Sequence, residues 1–422
     1  MYRGKFTFHS VGQGLFYSGN IFNIENGDRN VFTFVYDCGM QTSARYTRSL
    51  RREVSLFRDE LASIQPKLHK KRIDLVVISH LDEDHYVGLE QLLRDDVDVD
   101  SIIVPYYKYY TRFVVETLLI NKKGRVGRVF ILVDPRDRDD YYEEQQRFGD
   151  IDGGDNKTSK DVPEGRLELI YHNESENYRN ENYSRVQPVF SARAKFSLGN
   201  PSGKDLDKIW EFVTYNKRVD EAWLSAYIEE LDKYFDKHGS LDKIIRSSRS
   251  LKEFRKHEYK IGKEIKKSVN DSVRNDNSVV LYHSPLYKGT LFSCYNDYRQ
   301  ACCLFCGCWR PCSLDHYGNR TATLLTGDLQ KLNATDIREM SHVIDDSRVD
   351  NISIFQVPHH GGHLPFPSQF YCKRFCIVSA GISNRFRHPK ADVVEKLLGA
   401  QARITMVTEI DCTRYTYEVK PL

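Results

Sequence analysis

Apolar residues along the chain fall into short runs, and the period of each run separates strands from helices. Lys5 to Tyr17 alternates apolar and polar positions and contains Gly12-Gln13-Gly14, a tight-turn signal. Val31 to Tyr36 gives a second strand, which ends at Asp37-Cys38-Gly39. Ile73 to Ser79 is almost continuously apolar, as expected of a strand buried on both faces. Ser101 to Pro105 and Arg128 to Val133 read as further buried strands, and Arg45 to Pro66 and Tyr86 to Leu93 have helical character. This alternation predicts an α/β layered domain over residues 1–133.

The middle of the chain reads differently. Asp134 to Asp161 is crowded with Asp, Glu, Arg and Gly, which predicts a solvated loop. Trp210 to Val269 reads as an inserted helical module, with an apolar stripe at Leu224, Tyr227, Ile228, Leu231, Tyr234 and Phe235. Lys243 to Lys267 within it holds ten Lys or Arg against three Glu. Such a stretch suits either a phosphate-contacting surface or an ordinary solvated helix face. From Asn277 the strand pattern returns in NSVVLYH, TATLLTGD, ISIFQVPHH, FCIVSAG and ARITMVTE, and His388 to Leu398 reads as a helix. The expected organisation is therefore a first half at 1–133, a charged loop and helical insertion at 134–275, and a second half at 276–422. A Cys-rich excursion at 294–316 interrupts the second half.

Composition adds limits. With 40% hydrophobic and 12% aromatic residues among 422, a sizeable core is available. No apolar run is long enough for a membrane-crossing helix, and the N-terminus lacks the apolar core of a signal peptide, so the expected location is cytoplasmic. The net charge of +3 means that any nucleic-acid contact must come from a local patch. Of ten cysteines, six lie between Cys294 and Cys312. Cys303, Cys306, Cys308 and Cys312 suit a structural zinc, with Cys294, Cys302 and His316 as substitutes, and free or redox thiols are the alternative. Cys38, Cys372, Cys376 and Cys412 read as isolated core residues.

The candidate chemistry sits where strands end. The Ile73–Ser79 run leads directly into His80-x-Asp82-x-Asp84-His85, a set of imidazoles and carboxylates suited to divalent metals. The plainer reading is a polar loop in which Asp82 or Asp84 caps the next helix. Asp328 ends a second buried run, LLTGD, and His359-His360-Gly361-Gly362 follows a third, Ile352 to Val357. Three strand ends bearing ligand-type residues favour one shared site.

Together these motifs resemble the metallo-β-lactamase superfamily, whose signature is His-x-His-x-Asp-His followed by later His, Asp and His ligands. The Asp at the second position in SHLDEDHYVGL is similar to the ComEC-like nuclease domains of DNA internalisation. So are VGQG, NSVVL, LLTGDLQ, QVPHHGG and the segment Gly381 to Pro389. The resemblance covers residues 1–105 and 270–410. It implies an αββα sandwich holding two divalent metals, Mn or Zn. His80 and Asp82 would hold the first, with His360 nearby, Asp84 and His85 the second, and Asp328 would bridge them. His359 would be a further ligand or a supporting partner. The superfamily's middle His is missing, since that region reads Arg274-Asn275-Asp276-Asn277-Ser278. Asp82 in place of His adds oxygen character that favours manganese.

What this implies for function is hydrolysis by metal activation of water, with Asp84 and His388 as catalytic groups and Arg385 as a phosphate contact. The expected substrate is DNA or another nucleic acid, and a role as a defence effector follows by analogy. A small phosphoester hydrolase, for example of cyclic nucleotides, and a non-catalytic scaffold with a protein partner are the alternatives.

Overall fold

The computed structural model describes residues 1–41, 43–93, 96–106, 126–148, 167–171, 186–189, 193–199, 208–217, 277–286, 290–295 and 320–421, with isolated positions within 111–115 and 225–237. The Cys cluster at 303–312, the basic stretch at 243–267 and most of the stripe after Trp223 lie outside them.

From the N-terminus run β1 (Tyr2–Phe8), β2 (Phe16–Asn23), β3 (Arg29–Cys38), α1 (Ala44–Ile64), β4 (Lys71–Val77), α2 (Glu83–Tyr86), α3 (Leu89–Leu92), β5 (Val97–Pro105), β6 (Val126–Leu132) and α4 (Arg138–Phe148). There follow β7 (Leu167–Tyr171), β8 (Val186–Val189), β9 (Arg193–Gly199), β10 (Lys208–Asn216), β11 (Val279–Pro285) and β12 (Thr290–Tyr295). The chain continues through β13 (Ala322–Leu325), α5 (Ala334–Ser341), α6 (Asp346–Asn351), β14 (Ile352–Gln356), β15 (Phe375–Ser379), α7 (Ala391–Gly399), β16 (Arg403–Val407) and β17 (Tyr415–Pro421).

The strands form two sheets, nine-stranded in the order β12-β17-β1-β2-β3-β4-β5-β6-β8 and eight-stranded in the order β16-β15-β14-β13-β11-β10-β9-β7. In the first sheet β3, β4, β5, β6 and β8 run parallel, and in the second β13 to β16 do. The C-terminal ends of parallel strands carry the sites of such sheets, and here β3, β4, β13, β14 and β15 all end in candidate residues.

Apolar side chains decide the layering. Phe6, Phe34, Leu75 and Val77 from the first sheet meet Phe212, Leu281 and Ile377 from the second in one buried cluster. On the outer face of the first sheet, Leu50, Val54, Phe57 and Leu61 form one stripe of α1 against Val35, Ile73 and Val76. On the outer face of the second, Val393 and Leu397 of α7 cover Val378 and Phe355. The result is helix, sheet, sheet, helix. β4 contributes to two of these clusters, which explains why its apolar run is broken only by the buried Asp74. Each fully buried side chain of this kind contributes about 1.5–3 kcal/mol.

The structure corrects the reading of 134–275 as a charged loop and helical insertion. Segments 167–171, 186–189, 193–199 and 208–216 are strands of the two sheets. Trp210, expected at the start of a helical module, lies fully buried in β10, which pairs antiparallel with β9 and β11. The sequence KIWEFVTYN is dense in β-branched and aromatic residues and has both faces covered, so its apolar content shows no clean period. Residues 138–148 form α4 rather than a loop, because Asp134 caps the preceding turn at Arg136 N, Pro135 opens it, and Asp139 and Asp140 suit the helix N-terminus. Tyr141 anchors α4 in the core.

Candidate metal centre

The centre begins at the end of β3. Asp37 is fully buried with left-handed backbone (φ 55°), an unusual conformation for a non-glycine residue. Its carboxylate accepts from Ser79 N at 2.6 Å, from Ser79 Oγ at 2.6 Å and from His85 Nδ1 at 2.7 Å. Gly39, two residues on, lies against the backbone of Asp84 and His85, where any Cβ would collide. Leu15 N, just after the Gly12–Gly14 turn, donates to Asp84 O at 3.1 Å. These contacts seat the 83–86 turn on the end of the sheet.

Across from it, His359 (φ 50°) and His360 (φ 56°) also hold left-handed backbone. Strain of that kind collects at functional sites. His360 Nδ1 donates to Ser379 O at 2.8 Å. A carbonyl can only accept, so Nδ1 carries a proton, and in the neutral ring the lone pair is on Nε2. The same reasoning, with Asp37 as acceptor, leaves the His85 lone pair on Nε2. Both lone pairs face carboxylates. His360 Nε2 lies 3.2 Å from Asp84 Oδ2 and 3.5 Å from Asp328 Oδ2. His85 Nε2 lies 3.2 Å from Asp328 Oδ1, yet neither atom completes a hydrogen bond, and both are buried.

The donor atoms of Asp84, His85, Asp328 and His360 all lie within 4.8 Å of one another, forming the one group with metal-ligand chemistry among the described residues. Lone pairs directed at carboxylates repel them unless a cation stands between, so this set fits a divalent metal. Without a metal, protons on the two Nε2 atoms take the cation's place, and the same carboxylates draw them there. Burial pushes the Asp84 carboxyl up, but the His360 hydrogen bond and nearby imidazoles outweigh it and hold it at about 2. Burial lowers His85, but Asp328 and Asp37 reverse this and carry it well above the usual imidazole range.

The resemblance implies His360 near the first metal set, that of His80 and Asp82. The structure instead seats it against Asp84 and Asp328. His80 and Asp82 form a separate pair, with Nε2 and Oδ2 3.9 Å apart. His80 packs its ring on His85 at 3.9 Å, and its buried Nε2 has no hydrogen-bond partner. Burial, with His85 next, holds its pKa below the usual value. Ser278 stands in the region of the missing histidine, with Oγ 3.4 Å from His80 Nδ1, and it accepts from Asp328 N at 3.0 Å. His359 reaches Asp328 at 4.0 Å.

His388 closes one wall. Its ring meets His359 edge-on at 5.1 Å and stacks on Phe386 at 5.6 Å. The glycine pair after His360 makes room for it. A Cβ on Gly361 would fall 2.5 Å from Pro389, and one on Gly362 would fall 2.7 Å from His388 Nε2. Burial first, then His360 and His359, push His388 down to about 3, so its imidazole is neutral. Arg385 lies over the Phe386 ring at 4.8 Å, at the exposed edge.

Asp37, Ser79, Ser278 and Ser379 are the residues that motif reasoning missed. For Asp37 a signal existed: a carboxylate followed by Cys-Gly at the end of a buried strand, the same arrangement that singled out Asp328. The serines carry no comparable mark.

Residues 15–173, which include Asp37 and the 80–85 motif, match the family model described as Metallo-beta-lactamase superfamily. Neither the curated proteins nor the solved structures yield a match. The two-sheet architecture is consistent with a metallo-β-lactamase fold, in keeping with this match over part of the chain, and the donor group suits metal-dependent hydrolysis. No helix among the described residues is long and apolar enough to cross a membrane.

Proposed function

We propose that this chain is a metal-dependent phosphodiesterase that cleaves nucleic acid, DNA in the first instance. The observation that carries the hydrolase reading is the four-donor group of Asp84, His85, Asp328 and His360. The nuclease reading is supported by the ComEC-like motifs at 80–85, 324–330, 356–362 and 381–389 and by arginines at the edge of the site.

Asp84, His85, Asp328 and His360 would hold one divalent ion, and His80 with Asp82 would contribute to a second. Bound there, such ions supply Lewis acidity and a nucleophile from water near neutral pH. Asp37 and the Ser379 carbonyl fix the imidazoles so that both Nε2 atoms face the site. His388, held by Asn384 at 2.8 Å from its backbone N, offers an N–H to the leaving oxygen. Arg385 offers a charged fork to a phosphate. The mixed oxygen and nitrogen donors suit manganese as well as zinc.

The test is cleavage of single- and double-stranded DNA with manganese or zinc by wild type and Asp84→Ala, with bound metal measured alongside. Cleavage that needs the metal and disappears in the variant supports the reading. Hydrolysis of a small phosphodiester without cleavage of DNA would move the assignment to a small phosphoester hydrolase. Failure to bind metal would leave a scaffold.

A further inference from the structure

Chemistry that the metal centre does not use lies at its rim, where α1 begins. Arg45 Nη1 donates to Ser383 Oγ at 3.4 Å, and the Tyr46 ring fills the space beside Gly381 and Gly12. The start of α1 is thus docked on the 381–390 loop, the loop that delivers His388 to the site. Around this junction Arg48, Arg385, Arg387 and Lys390 are all exposed. Arg48, Arg385 and Arg387 have no carboxylate partner among the described residues, whereas Arg45 is held by Glu409 at 2.6 Å.

Two features argue that these charges are not an ordinary solvated face. The first turn of α1 contains no acidic residue and carries Arg45, with Arg48 close behind. A helix N-terminus favours negative charge, so arginine there works against the stability of the helix. Broken local rules of this kind mark function. The loop also exposes apolar side chains among its arginines, with Ile382 at 54% and Phe386 at 40%. Basic residues interleaved with an exposed aromatic suit a strand that offers both phosphates and bases.

We propose that the start of α1 and the 381–390 loop form a docking track for the backbone of a nucleic-acid strand, leading past His388 to the metal centre. Arg48, Arg385 and Arg387 contact phosphates, and Phe386 stacks on a base. This rests on the phosphodiesterase reading and names the surface that separates a polymer from a small diester.

The experiment compares wild type, Arg48→Glu/Arg387→Glu and, as a charge-matched control just ahead of β4, Lys67→Glu/Lys70→Glu, both exposed positions. Each is assayed on an oligodeoxynucleotide and on bis(p-nitrophenyl) phosphate over a range of salt. In the double variant, KM for the oligonucleotide rises roughly tenfold or more, and the slope of log KM against log salt falls by about 2. Its kcat and the small-diester rate stay those of wild type, its thermal midpoint does not fall, and the control behaves as wild type throughout. Phe386→Ala weakens binding of the oligonucleotide but not of an abasic one. Unchanged KM and salt slope in the double variant would overturn the track. If wild type cleaves no phosphodiester at all, the nuclease reading fails on its own. The track is then read from anisotropy of a labelled oligonucleotide, where weaker binding by the double variant upholds it and equal binding overturns it.

Discussion

His85 Nδ1 donates to the Asp37 carboxylate at 2.7 Å, and this one bond decides which face of the imidazole meets the centre. Asp37 is itself fixed by Ser79 through backbone and hydroxyl, so the orientation is set before any ligand arrives. Carboxylate–histidine pairs of this type hold the tautomer and raise ligand basicity. Asp37→Asn keeps the shape and loses the charge. Its metal affinity should fall about 10- to 100-fold, read by competition with a chromophoric chelator, with the circular dichroism spectrum unchanged.

The grouping of His360 with Asp84 and Asp328 gives a second prediction. His360→Ala removes a donor from the four-membered set, and dialysed protein should lose an ion, measured by plasma mass spectrometry. Asp82→Ala lies outside that set and should keep the ion held by it. The reverse pattern would restore the pairing of His360 with His80 and Asp82.

Much of this centre was legible in the sequence because its chemistry is local. His80 to His85 lie within six residues at the end of an apolar run, and Asp328 and His360 each follow one of their own. What could not be read was which donors meet, since His360 and Asp84 are 276 positions apart and are joined only by the packing of the two sheets. The same limit explains β10. Its side chains are covered by neighbouring strands and by the opposite sheet, so no polar alternation survives to separate it from a helix.

Trp210 tests that correction. Its indole is fully buried against Phe6 and lies 3.4 Å from His283 through Nε1. If β10 were part of a peripheral insertion, Trp210→Ala would be nearly silent. As a core strand, the truncation should cost about 3–5 kcal/mol, measured by urea unfolding at neutral pH.

Glu53 predicts a pH dependence of stability that is independent of metal. It sits on α1 with its side chain fully buried, accepting from Arg414 Nε and Nη2 at 2.9 Å each and lying 3.2 Å from His9 Nδ1. Those contacts join α1 to the end of β1 and to the residue preceding β17. Burial pushes the carboxyl up, but the hydrogen bonds from His9 and Arg414 outweigh it and hold it at about 2. The unfolded carboxyl titrates at about 4.3. A depressed folded value means that the unfolded state takes up the proton first as pH falls. The stabilisation is therefore complete above about pH 5 and disappears between there and about pH 2, with a size on the order of 3 kcal/mol. Urea unfolding of metal-free wild type and Glu53→Gln from pH 7 to pH 3 reads this directly. The gap between them should be largest at neutral pH and narrow steadily on the acid side. A gap that stays constant across that range would mean that the carboxylate holds α1 by shape rather than by charge.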